Sequence, residues 1–300
     1  MLLKLVATSY RLLPIKGGQT RLSFNPFINR LMQDCQDPVI ARLWDGSEIL
    51  VDPHDYTGRT LFLFGTNDIK VSLTSNAFLK EGDVFLDIGA NYSTIGLYAS
   101  RAVGNDGAVH LFEPQRRIAD RVEEAIRNAG YSNVLLHRCG LLDVEATLTI
   151  RSPRNNSGSA TFAKHGDASD FDLAEECPVH EIGRYVAPLV AGRRFGAKLD
   201  IEGSEVRVMP WLLRQPNLAF LIFEANQNHR QLYDLVVESG LTLFGLERTV
   251  VRLRIRRVDS FDQMLRHHDL IALRLNPEFV VPVCVNPRDV VPLMAAPERT

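Results

Sequence analysis

Short apolar runs alternate with amphipathic stretches from about residue 84 onward, and each run ends at a charged or turn residue. Continuous apolar runs mark strands buried on both faces of a parallel sheet. Five are predicted: Val84–Ile88, Ala108–Phe112, Asn133–His137, Ala197–Ile201 and Leu218–Glu224. Helical spacing predicts Ser93–Val103, Arg116–Ala129, Ser204–Leu213 and Gln231–Ser239 between and after them. In the second of these helices Ile118, Val122, Ala125, Ile126 and Ala129 share one face, and Gly130 stands where a C-cap belongs. Thr242–Leu246 and the run Leu270–Leu275 form a terminal hairpin-like pair, with a short helix starting at Asp259–Asp262 between them. The expected fold is α/β: a doubly wound, mostly parallel, seven-stranded sheet covered on both faces.

Residues 1–80 form an extension ahead of this core, which is expected to span 81–300. Val39–Trp44 and Glu48–Val51 flank Asp45-Gly46, a hairpin signal. Ser75 to Leu79 reads as a helix end, and Glu81-Gly82-Asp83 as the turn into the first core strand. Met1 to Leu13 is apolar but contains Lys4 and Arg11, which predicts an amphipathic helix on its own domain and no membrane span. The alternation breaks over residues 143–195. A β-ribbon (Ala146–Ile150) there precedes the polar, Gly-containing stretch Ser152–Ser159, and Asn155–Gly158 is expected at the mouth of the active site. The Pro-rich tail beyond Asn276 reads as irregular.

Composition narrows the class without naming a chemistry. Of 300 residues, 45% are apolar and 23% charged, as in ordinary globular proteins. The net charge of −2 favours neither nucleic acid nor an anionic membrane as partner. Cys35, Cys139, Cys177 and Cys284 lie far apart, so a zinc site or disulfide framework is not expected and a cytoplasmic location is.

The first strand-to-helix turn, Gly89-Ala90-Asn91-Tyr92-Ser93-Thr94-Ile95-Gly96, lacks the glycine triplet of a dinucleotide site. Asp87 at the strand end would repel a pyrophosphate, whereas a cationic ammonium or sulfonium suits it. S-adenosylmethionine carries both, and its ribose suits Glu113 at the end of the next strand.

Several motifs in order resemble the FkbM-type S-adenosylmethionine-dependent methyltransferases, a family of class I, Rossmann-like fold. They are Gly82-Asp83-Val84-Phe85-Leu86-Asp87-Ile88-Gly89-Ala90-Asn91, then Phe112-Glu113-Pro114, then Asn156-Ser157-Gly158-Ser159, then Lys198-Leu199-Asp200-Ile201-Glu202-Gly203-Ser204-Glu205, and Glu224. The resemblance implies that Asp87, Gly89, Ala90 and Asn91 surround the methionyl end of the cofactor. It further implies that Glu113 holds the ribose and that Cys139-Gly140-Leu141 borders the adenine. Two positions depart from the family. Ser93 replaces a glycine, a serine that could N-cap the next helix. Ile182-Gly183 stands where the family carries Leu-Asp.

Lys198, Asp200 and Glu202 recur at every second residue, so a strand would turn them to one face. Charges so placed are costly unless paired or used. Asp200 is the first choice for a base or acceptor-orienting group, Glu202 the second, and Lys198 their partner. A divalent metal held by Asp200, Glu202, Glu224 and His229 is a possible but less favoured cofactor. His229 alone reads as a helix-start residue, and His267-His268 as a pair compensating a helix dipole. Arg252–Arg257 reads as a solvated basic strand face. The expected activity is methylation of a hydroxyl on a small molecule, sugar, glycan or natural product. A non-catalytic cofactor-binding module and a nicotinamide-dependent oxidoreductase are the alternatives.

Overall fold

The computed structural model describes residues 2–12, 17–35, 38–162, 171–249 and 253–274. The N-terminal part contains α1 (Leu2–Leu12), α2 (Gln19–Ser23), α3 (Pro26–Gln33), the antiparallel hairpin β1 (Val39–Arg42) and β2 (Glu48–Val51), α4 (Tyr56–Phe64) and α5 (Ile69–Phe78). Capping sets the starts of the last two helices. The Asp55 carboxylate accepts from the N–H groups of Thr57 and Gly58, and that of Asp68 from Lys70 and Val71.

The core follows as β3 (Val84–Ile88), α6 (Thr94–Val103), β4 (Ala108–Phe112), α7 (Arg116–Ala129) and β5 (Val134–His137). A side sheet is then built from β6 (Gly140–Leu142), β7 (Ala146–Ser152) and β8 (Leu173–Glu181). The chain returns through α8 (Ile182–Val190), β9 (Phe195–Leu199), α9 (Glu205–Leu213), β10 (Leu218–Glu224) and α10 (His229–Ser239). It ends with β11 (Thr242–Arg248), β12 (Leu253–Arg257), α11 (Phe261–Met264) and β13 (Asp269–Leu273). Gly130 caps α7 in the left-handed conformation, as its position predicts.

The main sheet has the order β12-β11-β13-β10-β9-β3-β4-β5. Strands β5, β4, β3, β9 and β10 run parallel, and β13 lies antiparallel between β10 and β11. This is a doubly wound, mostly parallel α/β sheet. It has eight strands where seven were expected, because β12 adds to the edge by pairing with β11. Its Leu253 and Ile255 are buried, while Arg256 and Arg257 face outward in ion pairs with Glu247 and Asp259. Arg252, Leu275, Cys284 and the Pro-rich tail lie outside the described residues.

Alternation along β3 supplies both faces of the sheet. Phe85 joins a core shared with the N-terminal segments, and Val84, Leu86 and Ile88 join the opposite one with α8 and α9. Chain order reverses between β3 and β9, which opens a crevice at their carboxyl ends. The fourth core strand starts and stops two residues earlier than the predicted Ala197–Ile201. At its start, Gly196 packs under the Phe220 ring, which would lie 2.2 Å from an added Cβ. At its end, the ladder to β3 closes with Asp200 N–H donating to Ile88 O at 3.1 Å.

Candidate functional site

A cavity of about 340 Å³ opens in that crevice. One wall is Gly89, Ala90, Asn91, Glu113, Cys139 and Gly140, so the structure brings these predicted residues together. Gly89 has φ 77°, and a Cβ there would lie 1.8 Å from Asp200 O, so no larger residue fits between the strand ends. Glu113 is 2% exposed. Its Oε2 accepts from Asn91 N–H and its Oε1 from Gln115 N–H, both at 2.7 Å. Burial pushes its carboxyl up to about 7 against those two hydrogen bonds.

Asp87 sits differently from the other members of this set. It is fully buried beneath the wall and is not among the residues lining the cavity. Its Oδ2 accepts from Gly96 N–H at 3.0 Å, and its Oδ1 lies 3.5 Å from Lys198 Nζ. It anchors the start of α6 and the Lys198 side chain.

Ser93 stands at the N-cap position of α6, yet its side chain makes no capping bond; its Oγ donates to Asn91 O at 3.2 Å. Its φ of 57° is left-handed, a conformation that favours glycine. We expect Ser93→Gly to raise stability by about 0.5–1 kcal/mol, read as a higher urea midpoint at unchanged slope. An unchanged or lower midpoint would count against strain at this position. At the other departure, Glu181 caps α8 by accepting from Gly183 and Arg184 N–H, so a capping acid stands beside Ile182-Gly183.

The opposite wall gathers charge. Lys198 Nζ donates to Gly89 O at 2.6 Å and lies 3.5 Å from carboxylate oxygens of both Asp87 and Asp200. Burial pulls its pKa down, but Asp200 and Asp87 outweigh that and hold it above the usual lysine value. Because β9 ends at Leu199, Asp200 and Glu202 project from a loop instead of a strand face. Glu202 has φ 50°. Glu205, buried at the start of α9, holds this loop by accepting from Ile201 and Gly203 N–H.

Glu224 ends β10 beside this loop. Burial raises Asp200 well above the usual range, and the nearby Glu224 and Glu202 add to the shift. Glu224 is itself held low: burial would raise it, but hydrogen bonds from His268 and Asp200 prevail. The two carboxyls are coupled, and their proximity favours proton uptake by the pair. Burial and Glu224 push Glu202 up to about 7.

His268 donates from Nδ1 to Glu224 Oε1 at 2.9 Å. It is a partner of the carboxylate cluster and does not compensate a helix dipole, since α11 ends at Met264. Among the described residues, the ligand-like groups are Asp200/Glu202/Glu224 and Glu224/His268/Asp269. His229 belongs to neither and is the first residue of α10. Lys198 already pairs Asp200, His268 pairs Glu224, and Lys70 pairs Asp269. The chain's own cations thus engage part of this donor set, while Asp200 Oδ1 is buried without a hydrogen-bond partner among the described residues.

The Asn155–Ser159 loop reaches this cavity, and three residues hold it, two of them (Asp55 and Gln115) outside the predicted set. Ser157 N–H donates to Asp55 Oδ2 at 3.2 Å, Gln115 Nε2 donates to Ser157 O at 3.0 Å, and Asn91 Nδ2 donates to Ser157 Oγ at 3.2 Å. Asp55, Gln115, Glu205 and His268 escape a reading by motif. Asp55 carries only an N-cap signal, Glu205 only its place in the charged motif, and His268 no local signal at all.

No family model and no curated protein matches this sequence. Among solved structures, similarity extends to an S-adenosylmethionine-dependent O-methyltransferase from Thermotoga maritima, with 15% identity over 80% of this chain and 93% of that one, and a TM-score of 0.38. Aeropyrum pernix fibrillarin bound to S-adenosyl-L-methionine aligns at 15% identity over 78% and 93%, with a TM-score of 0.34. A precorrin-6y C5,15-methyltransferase from Geobacter metallireducens aligns at 11% over 71% and 92%, with a TM-score of 0.38. No helix among the described residues is long and apolar enough to cross a membrane.

Proposed function

We propose that the chain is an S-adenosylmethionine-dependent methyltransferase of FkbM type. In this reading it methylates a hydroxyl of a small-molecule or glycan acceptor in the cytoplasm. The observation that carries this reading is Glu113. It is a buried carboxylate on the cavity wall with one backbone N–H on each oxygen, which leaves acceptor capacity for two further donors. Vicinal ribose hydroxyls are donors of that kind. Beside it, Pro114 and Leu141 offer apolar lining for adenine, and Gly89 and Asn91 keep the backbone close to the methionyl end.

When bound, the cofactor supplies an electrophilic methyl group on a sulfonium. The chain's own contribution is alignment and proton handling. Asp200, held beside Lys198 and Glu224, orients the acceptor oxygen. Glu202, with its pKa near neutral, takes the acceptor proton. Lys198 fixes the Asp200 loop against Gly89. No step is assigned to a metal.

Calorimetry is expected to show binding of S-adenosylmethionine and S-adenosylhomocysteine and none of NAD; the reverse preference would overturn the reading. In Glu113→Ala, lost hydrogen bonds to a charged group are worth roughly 1.5–3 kcal/mol each, so affinity falls about tenfold or more. The effect has a pH signature. Because burial raises the Glu113 pKa in the folded protein, the folded state holds more protons than the unfolded one between the usual carboxyl value and about 7. Glu113 therefore favours folding below that window, and the benefit fades as pH rises through it. Ribose hydroxyls favour the ionised form, so S-adenosylhomocysteine should raise the melting temperature more at pH 8 than at pH 5.5.

A further inference from the structure

The far wall of the cavity is unexplained by methyl transfer itself. It comes from the N-terminal segments and includes Gln19 and Thr20 of α2, Tyr56, Thr57 and Thr60 of α4, and Asn67 ahead of α5. Each of these side chains is uncharged and carries a hydroxyl or an amide. Most of their groups have partners. Thr20 Oγ1 and Tyr56 OH lie 2.9 Å apart, Thr60 Oγ1 donates to Tyr56 O at 3.1 Å, and Asn67 Oδ1 accepts from Thr94 Oγ1 at 2.5 Å.

Gln19 is the exception. It is 4% exposed, it lines the cavity, and its Oε1 has no hydrogen-bond partner among the described residues. Buried polar atoms nearly always have a partner, and an orphaned acceptor on a cavity wall points to a donor supplied by a ligand. The charges of the lining argue against an anionic ligand. Carboxylates outnumber cations along it: Lys70 and Lys198 are already engaged by Asp269, Asp87 and Asp200, and the third cation, Arg248, is exposed to solvent.

We propose that this wall is the acceptor subsite, that it takes a neutral ligand bearing several hydroxyls, of pyranoside type, and that Gln19 Oε1 accepts from a hydroxyl other than the one methylated. The N-terminal segments thereby set acceptor specificity, with Gln19 as the determining residue. The proposal rests on the methyl-transfer reading for the bound molecule's role as acceptor, and not for its binding at this wall.

The test uses the full chain saturated with S-adenosylhomocysteine and ligand-observed NMR. The probes are the methyl glycosides of glucose, galactose and mannose, with methyl glucuronide and cyclohexanol as comparators. At least one neutral glycoside should bind, and both comparators should bind more weakly. Gln19→Met keeps length and removes the amide; it should weaken the bound glycoside about fivefold or more while S-adenosylhomocysteine affinity holds. Tyr56→Phe, which keeps the ring stacked on Phe24, should weaken the same probe and decides the matter if Gln19→Met fails to fold. The proposal is overturned if no neutral glycoside binds, if the variants bind it as tightly as the wild type, or if a comparator is preferred. Glycoside binding without S-adenosylhomocysteine binding would leave the subsite standing and sink the methyl-transfer reading instead.

Discussion

Replacing Lys198 with Met is expected to cost about 3–5 kcal/mol of folding stability, the usual loss when one partner of a buried pair is removed. Lys198 and Asp87 are register partners on adjacent parallel strands, and neither has more than slight contact with solvent. Without the ammonium, Asp87 keeps only the Gly96 N–H, and Gly89 O loses its donor. Urea unfolding would read the loss as a lower midpoint. The double variant Lys198→Met/Asp87→Asn should recover much of it, because a buried neutral amide replaces an uncompensated charge. A loss below about 1 kcal/mol, the range of an exposed ion pair, would mean that the pair does not hold the strand ends together.

The second large effect is on turnover. Glu202→Gln and Asp200→Asn should each lower turnover on the order of a hundredfold or more, as expected for loss of a positioned base or orienting group. Cofactor affinity should stay within a few-fold, since neither residue belongs to the Glu113 wall. The pH profiles separate the two roles. Wild-type turnover should rise through about pH 7 as Glu202 ionises, and that limb should vanish in Glu202→Gln yet persist in Asp200→Asn. Near-normal turnover in both variants with a verified acceptor would make the cluster structural. Abolition by chelation, with recovery on adding magnesium or manganese, would show that a metal displaces the cationic partners seen here.

The carboxylate cluster shows where reading the chain runs out. Lys198, Asp200 and Glu202 are legible as a charged set because alternation on a strand implies a shared face. Two of them nevertheless lie beyond the strand. Where β9 ends depends on how closely Gly89 and Asp200 O approach across the sheet, which no local pattern records. His268 follows the same logic. It meets Glu224 only because β13 inserts antiparallel beside β10, pairing Glu224 with Asp269. Ser93 is the converse case: its departure from a glycine was visible in the sequence, but its consequence depends on a φ value.

The sequence by itself determined the alternation of buried strands and amphipathic helices, hence the doubly wound sheet, and it marked the acids that end the first, second and fifth core strands. Periodicity and strand-end residue types are local, and burial of apolar runs enforces them wherever the chain goes. Tertiary structure alone decided that Asp87 lies beneath the cavity instead of on its wall. It also decided that Asp200 and Glu224 face each other as a coupled pair, and that Gln19, Asp55 and Ser157, distant along the chain, gather at one cavity and the loop beside it. Those outcomes depend on desolvation and on contacts between segments, and both are set by packing in three dimensions instead of spacing along the chain.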